Sequence, residues 1–343
     1  MVKEKQLKLI LEDYGQFLGM EKGCYVVKDK DGIVKKYPQW ENEIGEVILK
    51  SGCYVSVGVL ANLSFWEIDT VILTRRGKPI AYLKNIEDDS HVETRINQYK
   101  ALENGKGIEI AKQIVLGKIK GQTQVLKKYG LRLYAYPTRI TETNFKDLKT
   151  ARKKLTLIES HYTKGYFKQI FQLLPEPLRP ENRKTFSAFD GINNIFNLAY
   201  EMLKWKVCRA IIKAKLEPYL GFLHAEQFGK PSLLCDLTEI FRYYIDDYLI
   251  QFCQKLKKTD FTTKIENYST KRMAKREYLN NEKTRQLMKG INDLWEQKVE
   301  IKRVEGHGEK TTVETWINET AILLAKYIRN EKSSWQPQIA LLN

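Results

Sequence analysis

The chain has 343 residues, 43% of them hydrophobic and 29% charged, which excludes a disordered protein and leaves room for two domains. Its 58 lysines and arginines exceed 42 acidic residues, a formal charge of +16, and the surplus is one-sided: residues 1–100 carry 15 of each sign, residues 101–343 carry 43 basic against 27 acidic. A basic, aromatic-rich rear half points to a polyanion, nucleic acid first; the plainer alternative is a solvated basic surface. No run of roughly 18 uncharged apolar residues could span a bilayer, and Met1 to Phe17 is charged throughout where a signal peptide would be apolar, so a soluble cytoplasmic protein is expected. Cys24, Cys53, Cys208, Cys235 and Cys253 are odd in number and form no CxxC pair, which argues against a zinc knuckle or disulfide scaffold. They read as reduced, mostly core residues.

The front of the chain reads as short strands: Leu7 to Leu11, Cys24 to Val27, Val34 to Tyr37, Glu46 to Leu49, Val55 to Val57, Thr70 to Leu73 and Ile80 to Leu83. Lys30-Asp31-Gly32, Ser51-Gly52 and Arg76-Gly77-Lys78-Pro79 break them with turn residues, and Asn62 to Trp66 suggests a helical turn. Past Glu87-Asp88-Asp89-Ser90 the period shifts from two toward 3.6. Residues 144–174 carry a stripe through Leu148, Leu155, Ile158, Tyr162, Phe167 and Ile170, ended by Pro175 and Pro177; residues 192–216 carry another, stopping before Pro218. A third helix is predicted from Ser232, read as its N-cap after Gly229-Lys230-Pro231, to Leu249. The polar stretch Lys255 to Arg276 reads as a long or mobile surface segment. The fold class expected is α+β: a small β-rich domain over 1–88, then a larger all-α domain over 89–343.

Four histidines are present, His91, His161, His224 and His307. His224 is followed by a Gly-Pro turn and then by Asp236 and Glu239, whose i, i+3 spacing sets both carboxylates on one helix face. Such a set suits a hard divalent ion, but a satisfied core histidine and a solvated acidic face fit the same spacing. Glu159 sits at the edge of an apolar stripe, where it either reaches water or faces a group that needs it. The phosphate loop GxxxxGK[ST], the GxSxG elbow, HExxH and GxGxxG are all missing, which removes the usual supports of nucleotide hydrolysis, serine hydrolysis and nicotinamide chemistry.

Taken together, the segments resemble the CRISPR-associated integrase family, the first of the numbered Cas proteins. Gly221-Phe222-Leu223-His224 followed by Gly229-Lys230-Pro231-Ser232-Leu233-Leu234-Cys235-Asp236-Leu237-Thr238-Glu239-Ile240-Phe241-Arg242 is similar to that family's GFLH…GRPSLALDLMEEFR block. Leu157-Ile158-Glu159-Ser160 with Tyr166-Phe167, Asp190-Gly191-Ile192-Asn193-Asn194, and in front Glu43 to Leu49 and Gly77-Lys78-Pro79, resemble further family segments. Gly191 stands where the family usually has proline, Lys230 where it has arginine, and Thr238 precedes Glu239 where a second glutamate is common.

The resemblance implies a metal-dependent DNA endonuclease and integrase of spacer acquisition in antiviral defence. Its Mg²⁺ or Mn²⁺ ligands fall on Glu159, His224 and Glu239, with Asp236 beside them as a further catalytic candidate that orients His224 or accepts a proton. It also implies a homodimer through the β-domain, double-stranded DNA as substrate, and a small partner, Cas protein two, joining two dimers in a heterohexamer. Lys230, Arg242, Lys153 and Lys154 are the candidate DNA contacts, with Lys127, Lys128, Arg132 and Arg152 as further basic candidates. Two other readings are carried: a branched- or linear-DNA nuclease of repair, and a non-catalytic DNA scaffold with a structural metal.

Overall fold

The computed structural model describes residues 7–39, 44–75, 79–83, 92–135, 137, 139–269, 272–301 and 309–342. Glu43, the turn at Arg76 to Lys78, the Glu87-Asp88-Asp89-Ser90 boundary, His91 and His307 lie outside the described residues. The chain divides into two compact units, Met1–Ser90 and His91–Asn343. Among the described residues no helix is long and apolar enough to cross a membrane.

The first unit is β-rich, as its alternating pattern predicts. Its elements are β1 (Leu7–Leu11), β2 (Phe17–Glu21), β3 (Cys24–Lys28), β4 (Val34–Pro38), β5 (Ile44–Lys50), β6 (Tyr54–Val55), α1 (Val57–Phe65), β7 (Asp69–Leu73) and β8 (Pro79–Leu83). One sheet has the order β1-β5-β7-β8, the other β4-β3-β2-β6. In the first, β5 lies parallel to both β1 and β7, and a strand so enclosed needs apolar side chains on both faces, which Ile44, Val47 and Leu49 supply. The sequence reading missed β2, which pairs with β3 across a two-residue turn at Lys22 and Gly23, both at positive φ. The strand expected at Val55 to Val57 stops at Val55. Ser56 then caps α1, its hydroxyl accepting from Val59 N at 3.3 Å, and the expected helical turn is the end of that helix.

The second unit holds α2 (Val92–Lys100), α3 (Lys106–Lys128), α4 (Arg139–Glu142), α5 (Leu148–Ile170), α6 (Gly191–Lys213), α7 (Ser232–Cys253), β9 (Phe261–Ser269), β10 (Arg272–Leu279), α8 (Asn281–Glu296), β11 (Lys298–Ile301), β12 (Glu309–Thr312) and α9 (Val313–Ile328). Helix α3 runs through the middle, packed on α5 and α7, and α6 packs on α7 and α9. Ile110, Ile114, Ile119 and Val125 of α3 are fully buried. Gly121 lets α3 approach α7: a Cβ there would stand 2.3 Å from the ring of Tyr243.

This unit is largely helical but not all-α. The stretch Lys255 to Arg276, expected to be a long or mobile surface segment, is for the most part an antiparallel ribbon, β9 against β10. The ribbon is tied to the start of α6: Glu277 N donates to Phe189 O at 2.8 Å, and Arg276 Nη2 donates to Asn194 Oδ1 at 2.7 Å. The cysteines form no disulfide; Cys253 is fully buried, and Cys53 and Cys208 pack half-buried against the two cores, so the core reading is corrected only for the half-buried Cys24 and Cys235.

Candidate active site

The start of α7 and the loop before it are built around Asp236. Its carboxylate is wholly buried, and Oδ2 accepts the backbone N–H of Phe222 at 2.6 Å and of Leu223 at 2.9 Å. Oδ1 accepts the backbone N–H of His224 at 2.9 Å and faces His224 Nδ1 at 2.7 Å. A carboxylate offers about four acceptor positions, and here all are taken. With Asp236 ionised, Nδ1 carries the hydrogen and Nε2 is the basic nitrogen. This is a positioning role and leaves no acceptor for a proton from substrate.

The same loop is held on its carbonyl side by Arg152 of α5, whose Nε donates to Phe222 O at 2.9 Å and Nη2 to Gly221 O at 2.7 Å. Gln98 of α2 adds a bond to Leu220 O at 2.9 Å. Pro218 O receives Leu233 N at 3.0 Å and so satisfies part of the helix start that the sequence assigned to a Ser232 cap. Ser232 lies inside the helix, and its hydroxyl instead donates to Ala225 O at 2.9 Å.

One turn along α7 the surroundings change from amides to charges. Glu239 Oε1 accepts Arg242 Nη1 at 2.5 Å, and Oε2 lies 2.6 Å from Lys118 Nζ of α3. The same ammonium pairs with Glu159 Oε1 of α5, which also accepts the Thr163 hydroxyl at 2.9 Å. Burial opposes ionisation of Glu239, but Arg242 and Lys118 outweigh it and hold its carboxyl well below the usual carboxylate range. Even so, Oε2 is a buried oxygen that accepts no aligned hydrogen bond. Arg242 lies over the ring of Tyr200, 4.1 Å from its centroid. Deeper on α7, Asp246 accepts the hydroxyls of Tyr166, at 2.9 Å, and of Tyr200. Burial pushes its carboxyl up to about 6 despite these bonds and the nearby Arg242 and Arg183.

A cavity of about 710 Å³ opens beside Glu159, lined also by Tyr134, His161, Lys164, Lys168 and Arg183. Glu159 and His161 therefore border one space.

The structure thus joins the predicted residues as two pairs, Glu159 with Glu239 through Lys118, and His224 with Asp236. Among the described residues no three His, Cys, Asp or Glu side chains gather about one point. The donor chemistry nevertheless fits Mg²⁺ or Mn²⁺: two carboxylates, an imidazole with a basic nitrogen, and in Glu239 Oε2 a buried oxygen without an aligned donor.

Lys153 and Lys154 are exposed and Lys230 is half-buried. Arg242, expected among the DNA contacts, is turned into the carboxylate site, and Arg152 is committed to the His224 loop. Lys128 is paired with Asp247 at 3.0 Å. Sequence reasoning missed Lys118 altogether. Its signal was there: Ala111, Val115, Lys118, Gln122 and Val125 share one face of α3, and a lysine within such a stripe needs a buried partner.

The chain is thus a β-rich unit followed by a largely helical unit, in which two carboxylates from α5 and α7 share one buried lysine and a histidine is held by Asp236 at the start of α7. Residues 9–283 match the family model described as CRISPR associated protein Cas1, and the chain belongs to that family. The CRISPR-associated endonuclease Cas1 of Korarchaeum cryptofilum (strain OPF8) is 26% identical over 278 residues, 75% of this chain and 81% of that one. Two solved structures share the fold. A casposase bound to integration product has a TM-score of 0.65 at 20% identity, covering 96% of this chain and 97% of that one. A Cas6-RT-Cas1–Cas2 complex has a TM-score of 0.68 at 19% identity, covering 98% of this chain and 36% of that one.

Proposed function

We propose that this chain is a metal-dependent DNA integrase and endonuclease of CRISPR adaptation, inserting captured DNA fragments into the repeat array. The observation that carries the reading is the convergence of Glu159 and Glu239, from two helices, on a single buried cation, with Asp236, one helical turn from Glu239 on α7, holding His224 by its Nδ1. In the reaction, the 3′-hydroxyl oxygen of the fragment forms a new bond to a repeat phosphorus. The existing phosphorus–oxygen bond on the far side breaks; the proton of the attacking hydroxyl leaves to solvent, and the departing oxygen takes one from solvent to become a free hydroxyl. One phosphodiester replaces another, which needs no nucleoside triphosphate and agrees with the missing phosphate loop.

Glu159, Glu239 and the Nε2 of His224 would hold Mg²⁺ or Mn²⁺, which supplies charge stabilisation at the phosphate oxygens. Arg242 keeps Glu239 ionised and aimed, and Arg152 and Asp236 grip the His224 loop from opposite sides. Lys153, Lys154 and Lys230 are left for backbone phosphates, where lysine acts as a point charge. The likeness to the Korarchaeum endonuclease supports a second use of the site: with water as nucleophile the same residues would cut branched or linear DNA.

The likeness to a Cas1–Cas2 assembly supports a small Cas2 partner, and the neutral first unit suits homodimer formation, two such dimers making a heterohexamer in the cytoplasm. The test substitutes Glu159, His224 and Glu239 singly by alanine and measures transfer of a labelled fragment into repeat DNA with Mn²⁺. Each variant is expected to lose at least ~100-fold in rate. Near-normal product from any one of them removes that residue from the ligand set, and near-normal product from all three leaves the scaffold reading.

A further inference from the structure

Lys118 has no solvated role open to it. Its side chain is 6% exposed, and its ammonium lies between Glu159 and Glu239, 2.6 Å from Oε2 of the latter. It reaches that point because α3 is packed against both α5 and α7. Two carboxylates facing one another in a buried site repel strongly, so without a cation between them the pair would protonate or separate.

We propose that Lys118 is the resident counter-ion of the metal site: in metal-free protein its ammonium holds Glu159 and Glu239 in place, and the divalent ion binds by displacing it. This rests on the reading of those glutamates as metal ligands. An oxygen in contact with an ammonium cannot also bind a divalent ion at coordination distance without bringing two positive charges together. One of the two has to leave, and the four-carbon lysine stem can turn without moving the helix.

The structure holds a place for it to go. Gln122 lies four residues on, the next position on the same face of α3, and its Oε1 is buried with no hydrogen-bond partner. Its Nε2 donates to Thr163 Oγ1 at 3.4 Å, and Thr163 in turn donates to Glu159 at 2.9 Å, so the acceptor is anchored to the same carboxylate. Swinging from the carboxylates to Gln122 Oε1 would satisfy an atom that otherwise has no donor. Lys118 is therefore a positioning residue, and it lowers metal affinity in return for keeping the empty site in shape.

The experiment uses the full chain stripped by a chelator. Bound Mn²⁺ is followed by loss of the free-ion paramagnetic resonance signal, and thermal melting is recorded with and without Mn²⁺. Lys118→Met is expected to bind Mn²⁺ at least tenfold more tightly than wild type, to melt lower without metal, and to gain more on adding it. Lys118→Arg, which keeps a cation in place, should bind no more tightly than wild type. Gln122→Leu should bind severalfold more weakly, because the displaced ammonium loses its acceptor.

Lys118→Met that folds only with Mn²⁺ present is the same coupling at its limit and supports the proposal. If it folds under neither condition, Lys118→Gln carries the same comparison. Unchanged or weaker Mn²⁺ binding in the neutral variants, with wild type binding normally, overturns the inference alone. Wild type that binds no Mn²⁺ overturns the metal reading and this inference with it.

Discussion

Asp236 and Glu239 lie three residues apart on α7 and are both shielded from water, yet the first is surrounded by N–H donors of a backbone loop and the second by the cations Lys118 and Arg242. Amide donors are fixed in direction and cannot leave; side-chain cations can be exchanged for another cation. Asp236 is thus built for permanence, organising the loop that carries His224, and Glu239 is built for exchange, with one oxygen held by charge alone. Asp246, a further turn and more along the helix, is a third case: it is held by two tyrosine hydroxyls and resists ionisation.

The largest effect expected from this contrast is on stability. Asp236→Ala leaves three backbone N–H groups and His224 Nδ1 without their acceptor, at a cost of about 3–5 kcal/mol by urea unfolding, with or without Mn²⁺. Glu239→Gln should cost clearly less, because Lys118 keeps Glu159 and Arg242 keeps its place over Tyr200, but it should abolish stabilisation by Mn²⁺. Equal costs for the two variants, or Mn²⁺ stabilisation surviving in Glu239→Gln, would break the comparison.

Asp246 sharpens it through pH. A carboxyl raised from 3.8 to about 6 holds its proton more firmly in the folded than in the unfolded chain. The stability it contributes is complete below about pH 4 and is lost as pH rises through 6, an effect on the order of 3 kcal/mol. Asp246→Asn has no such proton, so its unfolding free energy should improve relative to wild type by that order between pH 4 and 7. A difference that stays flat across this range would show that Asp246 ionises like an ordinary surface carboxylate.

How much of this was legible beforehand follows from the range of each interaction. The motif around His224, Asp236 and Glu239 is local, so sequence placed its residues on a loop and one helix face, and Glu159 was visible as a carboxylate at the edge of an apolar stripe. Lys118 was not visible, because its significance lies in partners 41 residues away on α5 and farther still on α7. Arg152 and Arg242 looked like phosphate contacts because charge alone does not say whether a guanidinium faces out or in.

The ribbon β9–β10 was hidden for a related reason: its polar residues read as loop, and its order comes from docking on α6. Gly191, a departure from the family's proline, belongs to that docking. Its N–H donates to Glu277 Oε2 at 3.2 Å, and a Cβ there would lie 2.2 Å from the Phe261 ring, so a proline would both remove a donor and displace β9.

The smallest effect tests how closely the permanent half is fitted. Gly221 lies against the start of α7, where an added Cβ would stand 2.7 Å from Ser232 C and Cβ and 2.9 Å from Asp236 Oδ2. Helix backbone cannot give way there, so in Gly221→Ala the loop must lift from Asp236, lengthening the bonds from Phe222, Leu223 and His224. The expected cost is about 1–3 kcal/mol in unfolding free energy, with a loss of strand transfer beyond what reduced folding explains. Because the ion pairs and hydrogen bonds of Glu159 and Glu239 run to Lys118, Thr163 and Arg242 on the helices, the damage is expected to fall first on His224. Mn²⁺ binding should therefore weaken by less in Gly221→Ala than in Glu239→Gln. If the alanine variant melts like wild type, the loop has slack that the close packing around Asp236 does not allow, and the tight hold on His224 would have to be given up.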